Sequence, residues 1–259
     1  MLMDVKKIAQ KLYDAQIKCS PIDALTVEFP EMTIQDAYKI QLENIAKKKL
    51  AGAKVIGKKI GLTSKAMQNL IGVDEPDYGH LLDDMLLLEG EHIERERLLH
   101  PKVESEISFV LGETLKGPGI NITDVLRATK GVIASLEIVD SRIRDWKIKL
   151  PDTIADNASS AAFVLGGKLI PVEGLDLRYI GMVFQKNGEV VGTGAGAAVW
   201  NHPAASVAWL ANKLSEFGIA LEAGEIVMSG AFTSAVSAEA GDIFSATFDR
   251  LGSVAVKFI

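Results

Sequence analysis

Val5, Ile8, Ala9, Leu12 and Ala15 recur at helical spacing through DVKKIAQKLYDAQIK, residues 4 to 18, and predict an amphipathic helix. Thr33, with Asp36 three residues on, predicts the capped start of a second helix that runs to about Lys49. Beyond Gly52 the apolar period shortens. AKVIGKKIGL, residues 53 to 62, is β-branched and bounded by glycine, which predicts a strand. Further short strands are expected at 103 to 111, 132 to 139, 161 to 165, 180 to 186, 189 to 194, 225 to 229, 243 to 248 and 253 to 258. Asn187-Gly188 between two of them marks a hairpin. Two helices interrupt the strands: TDVLRATK, residues 123 to 130, and one that follows Asn201 as N-cap, carries Pro203 in its first turn and continues through WLANKLSEF. Helices first and strands after, without regular βαβ alternation, give an α+β fold class. The expected division is a helical N-terminal segment over residues 1–52 and a β-rich domain over 53–259.

Composition narrows the function. Of 259 residues, 48% are apolar and 24% charged, enough for a large core. The net charge of −6, with no Lys/Arg tract interleaved with aromatics, lacks the footprint of a nucleic-acid binder and points to a small-molecule ligand. Cys19 is the single cysteine, so no intramolecular disulfide forms. MLMDVKKIAQKLYDAQ is too charged for a secretory leader; the sequons at Asn121 and Asn157 are then idle, and a cytoplasmic protein is expected. No run of eighteen apolar residues offers a membrane span.

One strand carries an anomaly. In PKVESEISFV, residues 101 to 110, Val103, Ser105, Ile107 and Phe109 share one face, and Glu104, Glu106 and Ser108 the other. Two carboxylates so close repel unless the face is wet, one acid is protonated, or a cation lies between them. A third acid, Glu137, stands inside the apolar run VIASLEIVDSRI, with Asp140 at its end. An unpartnered carboxylate there costs several kcal/mol. Three carboxylates from two strands form a hard oxygen site suited to Mg²⁺ or Mn²⁺. The alternative is an ion pair of Glu137 with Lys59 or Arg142. Zinc fits poorly, because the four histidines lack metal-ligand spacing.

Elsewhere the simpler readings compete. Lys58 and Lys59 alternate faces, so at most one is expected to point inward, and two solvated lysines is the plainer expectation. EPDYG, residues 75 to 79, has the composition of a turn, with Asp77 a turn residue. Asp156, Asn157 and Ser159 in ADNASS either bind ligand oxygens or satisfy their own loop. GTGAGAAVW lacks the third glycine and the acid-terminated second strand of a dinucleotide fingerprint. No nucleophile elbow, P-loop or H-E-x-x-H is present.

KIGLTSKAMQ (59 to 68), EPDYGHLLDDM (75 to 85), HPKVESEISFVL (100 to 111), LEIVDSRIRDW (136 to 146), DTIADNASS (152 to 160) and NHPAASVAWLANKL (201 to 214), in that order, resemble the 2-keto-4-pentenoate hydratase family of the fumarylacetoacetate hydrolase superfamily. The resemblance runs from about residue 4 to the last. It implies a mixed β-roll of the fumarylacetoacetate hydrolase C-terminal-domain type around a metal site, a helical N-terminal segment, and homo-oligomers. By the same resemblance Glu104, Glu106 and Glu137 hold Mg²⁺ or Mn²⁺, Lys59 and Asp77 are the catalytic lysine and acid, and Ser159 contacts substrate. Leu81, with Leu82 and Phe232, is expected to line the pocket.

The family holds two chemistries on one site, hydration of 2-hydroxydienoates and decarboxylation of 4-oxalocrotonate. Asp77 in PDYG and the segment SRIRDWKIKLPDT resemble hydratases of the aromatic meta-cleavage pathway, which makes 2-hydroxypenta-2,4-dienoate the first substrate expectation. EFPEMT, HPK, GAGAAV and ADNASS are at least as similar to the decarboxylase, the second expectation. EPDYGHLLDDM and NHPAASVAWLANKL are similar to hydratases of the seven-carbon dioate, 2-oxohept-4-ene-1,7-dioate, whose chain is longer where this one has IRDWKIKLP. Related hydratases and decarboxylases associate, so a partner enzyme or a non-catalytic metal-binding subunit belongs among the expectations. Intact Lys59 and Asp77 beside three glutamates argue for catalysis.

Overall fold

Capping chemistry sets where the helices begin. In the computed structural model, which describes residues 3–64, 68–69 and 72–259, helix α1 (Val5–Ile17) starts where Asp4 accepts the Lys7 amide at 3.2 Å. It buries Ile8, Ala9, Leu12 and Ala15, the expected stripe. Residues 65–67 of KIGLTSKAMQ lie outside the described residues. After the single turn α2 (Leu25–Glu28), α3 (Ile34–Leu50) opens on a reciprocal box: Thr33 Oγ1 accepts the Asp36 amide, and Asp36 Oδ2 accepts the Thr33 amide. Helix α4 (Ile122–Ala128) begins and ends earlier than expected, because Asn121 caps it and the chain turns extended at Thr129. Helix α5 (Leu150–Ala155) is too short to show a period and was not expected. Helix α6 (Pro203–Ser215) is capped by His202, whose Nδ1 accepts the Ala204 amide at 3.0 Å, and not by Asn201, which sits left-handed at φ 65°.

The strands, in chain order, are β1 (Val55–Gly61), β2 (Asp77–Leu82), β3 (Leu86–Leu87), β4 (His92–Ile93), β5 (Lys102–Leu111), β6 (Thr129–Val139), β7 (Ser160–Leu165), β8 (Gly181–Lys186), β9 (Glu189–Ala195), β10 (Ile226–Ala231), β11 (Val236–Ser237), β12 (Ile243–Phe248) and β13 (Gly252–Phe258). One mixed sheet runs β2-β1-β10-β5-β6-β7-β3, with β11 also on β5; a second runs β4-β13-β12-β8-β9. Asn187 and Gly188 join β8 to β9 with φ 54° and 85°, the positive pair that an I′ turn requires. Ile8, Leu12 and Tyr38 of the helices share one core with Val103 and Phe109 of the first sheet and Phe184 and Phe258 of the second. The two sides of the expected 52/53 division therefore bury one another's apolar faces.

Strand β2 is the main element absent from the sequence reading. All six of its residues are buried, so it has no polar face and no alternation, and PDYG reads locally as a turn. It is held from α3. Gln41 Nε2 donates to Tyr78 O at 2.9 Å and to Ile154 O at 2.6 Å, which leaves Gln41 Oε1 to accept from His80 Nδ1 at 2.8 Å. Burial, then Lys58 and Lys49, push the His80 imidazole down to about 3. The unfolded chain thus takes up a proton near pH 6.5 that the folded state refuses until pH 3, and this contribution to stability is lost as pH falls through that window. Relative to wild type, His80→Gln is expected to lose about 2 kcal/mol less stability between pH 7 and pH 5, by urea unfolding at each pH. Parallel stability curves for the two proteins would refute it.

Candidate metal centre and active site

Antiparallel pairing of β5 with β6 sets Glu104 opposite Glu137 and Glu106 opposite Ser135. One carboxylate oxygen from each of Glu104, Glu106 and Glu137 lies within 4.8 Å of the others. Glu106 and Glu137 are fully buried. Among the described residues, Oε1 of Glu106 and Oε1 of Glu137 meet no hydrogen-bond donor. The other Glu106 oxygen accepts the Gly230 amide at 2.8 Å, where the register of β10 against β5 breaks between Met228 and Ala231.

Lys59 Nζ stands 3.3 Å from Glu137 Oε2. Strand β1 is three spacings from β6 through β10 and β5, about 14 Å in a flat sheet. The pair meets because the sheet curls around the cluster. Burial and then Glu137 push the Glu104 carboxyl up to about 7, and burial, Glu137 and Glu104 raise Glu106 well above the usual carboxylate range. Burial raises Glu137 as well, against the pull of Lys59. Burial opposes the charge on Lys59, but Glu137, Asp77, Glu104 and Glu106 outweigh it and raise its pKa above the ordinary lysine value. At formal charge, the three glutamates and Asp77 outnumber the one ammonium of Lys59 by three, an excess of negative charge that favours a bound divalent cation. Orphaned buried oxygens and an all-carboxylate donor set fit Mg²⁺ or Mn²⁺.

Asp77 faces this cluster from the first position of β2, buried and not in a turn. Its Oδ2 accepts from Thr153 Oγ1 at 2.6 Å, and its Oδ1 is buried without a partner. Gly61, paired with Asp77 across β1 and β2, leaves room for both groups: a Cβ there would overlap Asp77 Oδ1, lie 3.0 Å from Lys59 Nζ and force the Asp77 carboxylate to move. Both lysines of GKKIGL are buried, contrary to the expected solvated pair. Lys59 enters the cluster, and Lys58 pairs with Glu225 at 2.6 Å.

The loop after α5 completes the wall. Asn157, Ala158 and Ser159 are all left-handed, at φ 54°, 50° and 54°, a conformation that costs roughly 1–2 kcal/mol per non-glycine residue. Asn157 holds it in place: its Oδ1 accepts the His80 amide at 2.8 Å and its Nδ2 donates to His80 O at 2.9 Å. Gly79 allows this approach, because a Cβ there would lie 2.5 Å from Asn157 O. As a result Ala158 O accepts from Lys59 Nζ at 3.1 Å, and Ser159 Oγ is buried without a partner. Asp156 takes no part in the cluster; it is paired with Arg142 at 2.5 Å, which removes Arg142 as a neutraliser of Glu137. Asp140 accepts the amides of Leu99 and His100 at 2.9 and 2.6 Å and is not among the clustered acids.

A cavity of about 430 Å³ opens from these groups, with Lys59, Asp77, Glu104 and Ser159 at one end and Lys102, Trp146, Lys147 and Ile148 also in its walls. Leu81 and Leu82 are not in it. Both are fully buried with Ile45, Met85, Phe163 and Met228 in a separate apolar cluster, so the expected lining role of Leu81 gives way to Leu62, Val139 and Ile148. Phe232 lines a neighbouring pocket that shares Gly61 and Glu104. Thr153, Lys102 and Trp146 were not anticipated. Lys102 alone carried a signal, because it shares the period-2 face of Glu104 and Glu106.

A β-roll with a carboxylate cluster at its centre and a lysine and an aspartate beside it is the class that fold and site define. The fumarylacetoacetate (FAA) hydrolase C-terminal family model matches residues 74–259, and the chain belongs to that family. It is 46% identical over 253 residues to the 2-keto-4-pentenoate hydratase of Paraburkholderia xenovorans (strain LB400), covering 98% of this chain and 94% of that protein. It is 44% identical over 258 residues to the 2-oxo-hept-4-ene-1,7-dioate hydratase of Escherichia coli, covering 97% of each. The structure of 4-oxalocrotonate decarboxylase from Pseudomonas putida G7, complexed with magnesium and adipate, matches with a TM-score of 0.96 at 43% identity, covering 98% of this chain and 97% of that one. Among the described residues, no helix is long and apolar enough to cross a membrane.

Proposed function

We propose that this protein is a metal-dependent hydratase that adds water to 2-hydroxypenta-2,4-dienoate, giving 4-hydroxy-2-oxopentanoate, in aromatic meta-cleavage catabolism. The observation that carries the reading is the meeting of Lys59 Nζ and the unpartnered Asp77 Oδ1 beside three clustered glutamates on one cavity. Glu104, Glu106 and Glu137 would hold Mg²⁺ or Mn²⁺, which when bound stabilises the negative charge that develops on the oxygens of a 2-oxo acid. Hydration then needs two proton movements: from the 2-hydroxyl to C5, and from water to C3 as its hydroxyl joins C4. Lys59 Nζ, 3.3 Å from Glu137 and on the same cavity as Asp77, relays the proton from the 2-hydroxyl to C5, and Asp77 Oδ1 accepts a proton from water and returns it to C3. Ser159 Oγ, buried and free, is a hydrogen-bond partner for the substrate.

The likeness to the decarboxylase structure supports a second reading, loss of CO₂ from 4-oxalocrotonate on the same cluster, and the likeness to the dioate hydratase a third. The reading includes a cytoplasmic homo-oligomer, whose mass light scattering measures. The deciding experiment supplies protein and Mg²⁺ with 2-hydroxypenta-2,4-dienoate in one reaction and 4-oxalocrotonate in another, with products identified by mass spectrometry. 4-Hydroxy-2-oxopentanoate from the first, lost on chelation of the metal, is the expected result. CO₂ from the second with the first inert would make the protein a decarboxylase; with both inert, turnover of 2-oxohept-4-ene-1,7-dioate in a third reaction would make it the dioate hydratase, and no turnover in any of the three a non-catalytic subunit.

A further inference from the structure

A second polar cavity, of about 30 Å³, lies between the N-terminal helices and the loop that carries Ser159, walled by Asn44 and Lys48 of α3 on one side and by Asn157 and Ser160 on the other. Arg142 and Asp156, also in its wall, are paired with each other, and Gln41 and Asn157 are committed to His80 and to backbone carbonyls. Asn44 Oδ1 and Ser160 Oγ, by contrast, are buried without a partner among the described residues. Lys48 makes no ion pair among them either, and burial, then Arg142, works against its charge. Polar cavities with unpaired groups take up water, whereas those that stay dry are apolar, and 30 Å³ is room enough for a water molecule. One water can satisfy all three groups: it accepts from the Lys48 ammonium and donates to Asn44 Oδ1 and to Ser160 Oγ, the usual three hydrogen bonds of a buried water.

Ser160 carries this cavity to the glutamates. It opens β7, its backbone fixed by pairing with Val139 and by its carbonyl, which accepts from Arg142 Nη1 at 3.2 Å. Burial raises the Glu137 carboxyl, and after Lys59 the Ser160 hydroxyl draws it back, so Oγ stands beside that carboxylate. An ionised glutamate only accepts, and a serine whose lone pairs are filled by water has its proton to give.

We infer that a water held in this cavity joins Asn44 and Lys48 to the Ser160 hydroxyl and sets that hydroxyl as a donor to Glu137, which makes Ser160 a positioning residue for the metal centre and gives helix α3 a part in it. The inference rests on the metal-dependent reading above and deepens it. A hydroxyl free to rotate points its proton at Glu137 only part of the time; one anchored by a fixed water keeps it there and holds the carboxylate in one orientation for the cation. Groups that orient a metal-binding side chain in this way contribute about 10–100-fold to metal affinity.

The test is calorimetric titration of the metal-free protein with Mg²⁺, with thermal melting of the same samples to show that each variant is folded. Ser160→Ala is expected to weaken Mg²⁺ binding about tenfold. Asn44→Leu, which removes the acceptor at the far end of the bridge, is expected to weaken it about threefold, the worth of one hydrogen bond. Asn44→Asp keeps an acceptor oxygen and should bind Mg²⁺ no more weakly than wild type. Wild-type affinity in Ser160→Ala would overturn the positioning role. Wild-type affinity in Asn44→Leu, or a crystal structure with no water within hydrogen-bond distance of both Asn44 Oδ1 and Ser160 Oγ, would overturn the bridge. If the wild-type protein itself binds neither Mg²⁺ nor Mn²⁺, the metal-dependent reading falls, and the inference with it.

Discussion

Glu106→Gln is expected to lower kcat/KM by a factor of about 1000 or more, several kcal/mol of lost charge stabilisation, while the protein stays folded. The substitution keeps the shape of the side chain and its acceptor for the Gly230 amide, but replaces a fully buried carboxylate, one oxygen of which has no donor, with a neutral amide. In the metal-free protein this relieves repulsion, since Glu106 is held well above the carboxylate range by burial and by Glu137 and Glu104. Metal-free Glu106→Gln should therefore melt no lower than wild type. The two proteins part company when Mg²⁺ is added. Wild type gains stability as the logarithm of cation concentration over its dissociation constant, and the variant gains far less. Scanning calorimetry across a Mg²⁺ series, with kinetics on the same samples, reads both effects; an unchanged rate and an unchanged Mg²⁺ response would remove Glu106 from the site.

The carboxylate cluster was legible in the sequence because strands alternate faces: E-x-E declares two acids on one side, and Glu137 in an apolar run declares a third with no water to satisfy it. What the sequence withheld is depth. Lys58 and Lys59 read as surface lysines, since a lysine is buried only when acids from distant segments meet it, and Glu225 and Glu137 lie far along the chain. Asp77 read as a turn residue because β2 is buried on both faces and so shows no period. Thr153 and the clamp of Asn157 on His80 arise from tertiary contacts between segments about 77 residues apart, which no local pattern encodes. Leu81 misled for the reverse reason: its strand brings Asp77 to the site, but by Leu81 the strand has passed into a separate apolar cluster.

Asp77→Asn is the variant expected to separate the two chemistries. The amide is isosteric, and its oxygen can still accept from Thr153 Oγ1, so the fold of β2 and the loop should persist. What disappears is the carboxylate Oδ1, the one oxygen of Asp77 with no partner among the described residues, on the same cavity as Lys59 and outside the glutamate cluster. Water that adds at C4 must surrender a proton as its oxygen bonds to carbon, and a positioned base typically contributes 10²–10⁴-fold to such a step. Hydration is therefore expected to fall about 100-fold or more in kcat, with KM changed little, because the glutamate cluster and Ser159, proposed above to hold the metal and the substrate, are untouched. Decarboxylation needs no water to be activated, so CO₂ release from 4-oxalocrotonate, where it occurs, should survive the same substitution to within about tenfold. Stopped-flow absorbance for the dienoate and CO₂ detection for the diacid measure the pair. A hydration rate equal to wild type would leave Asp77 as a polar support for Thr153 and move the base to another group.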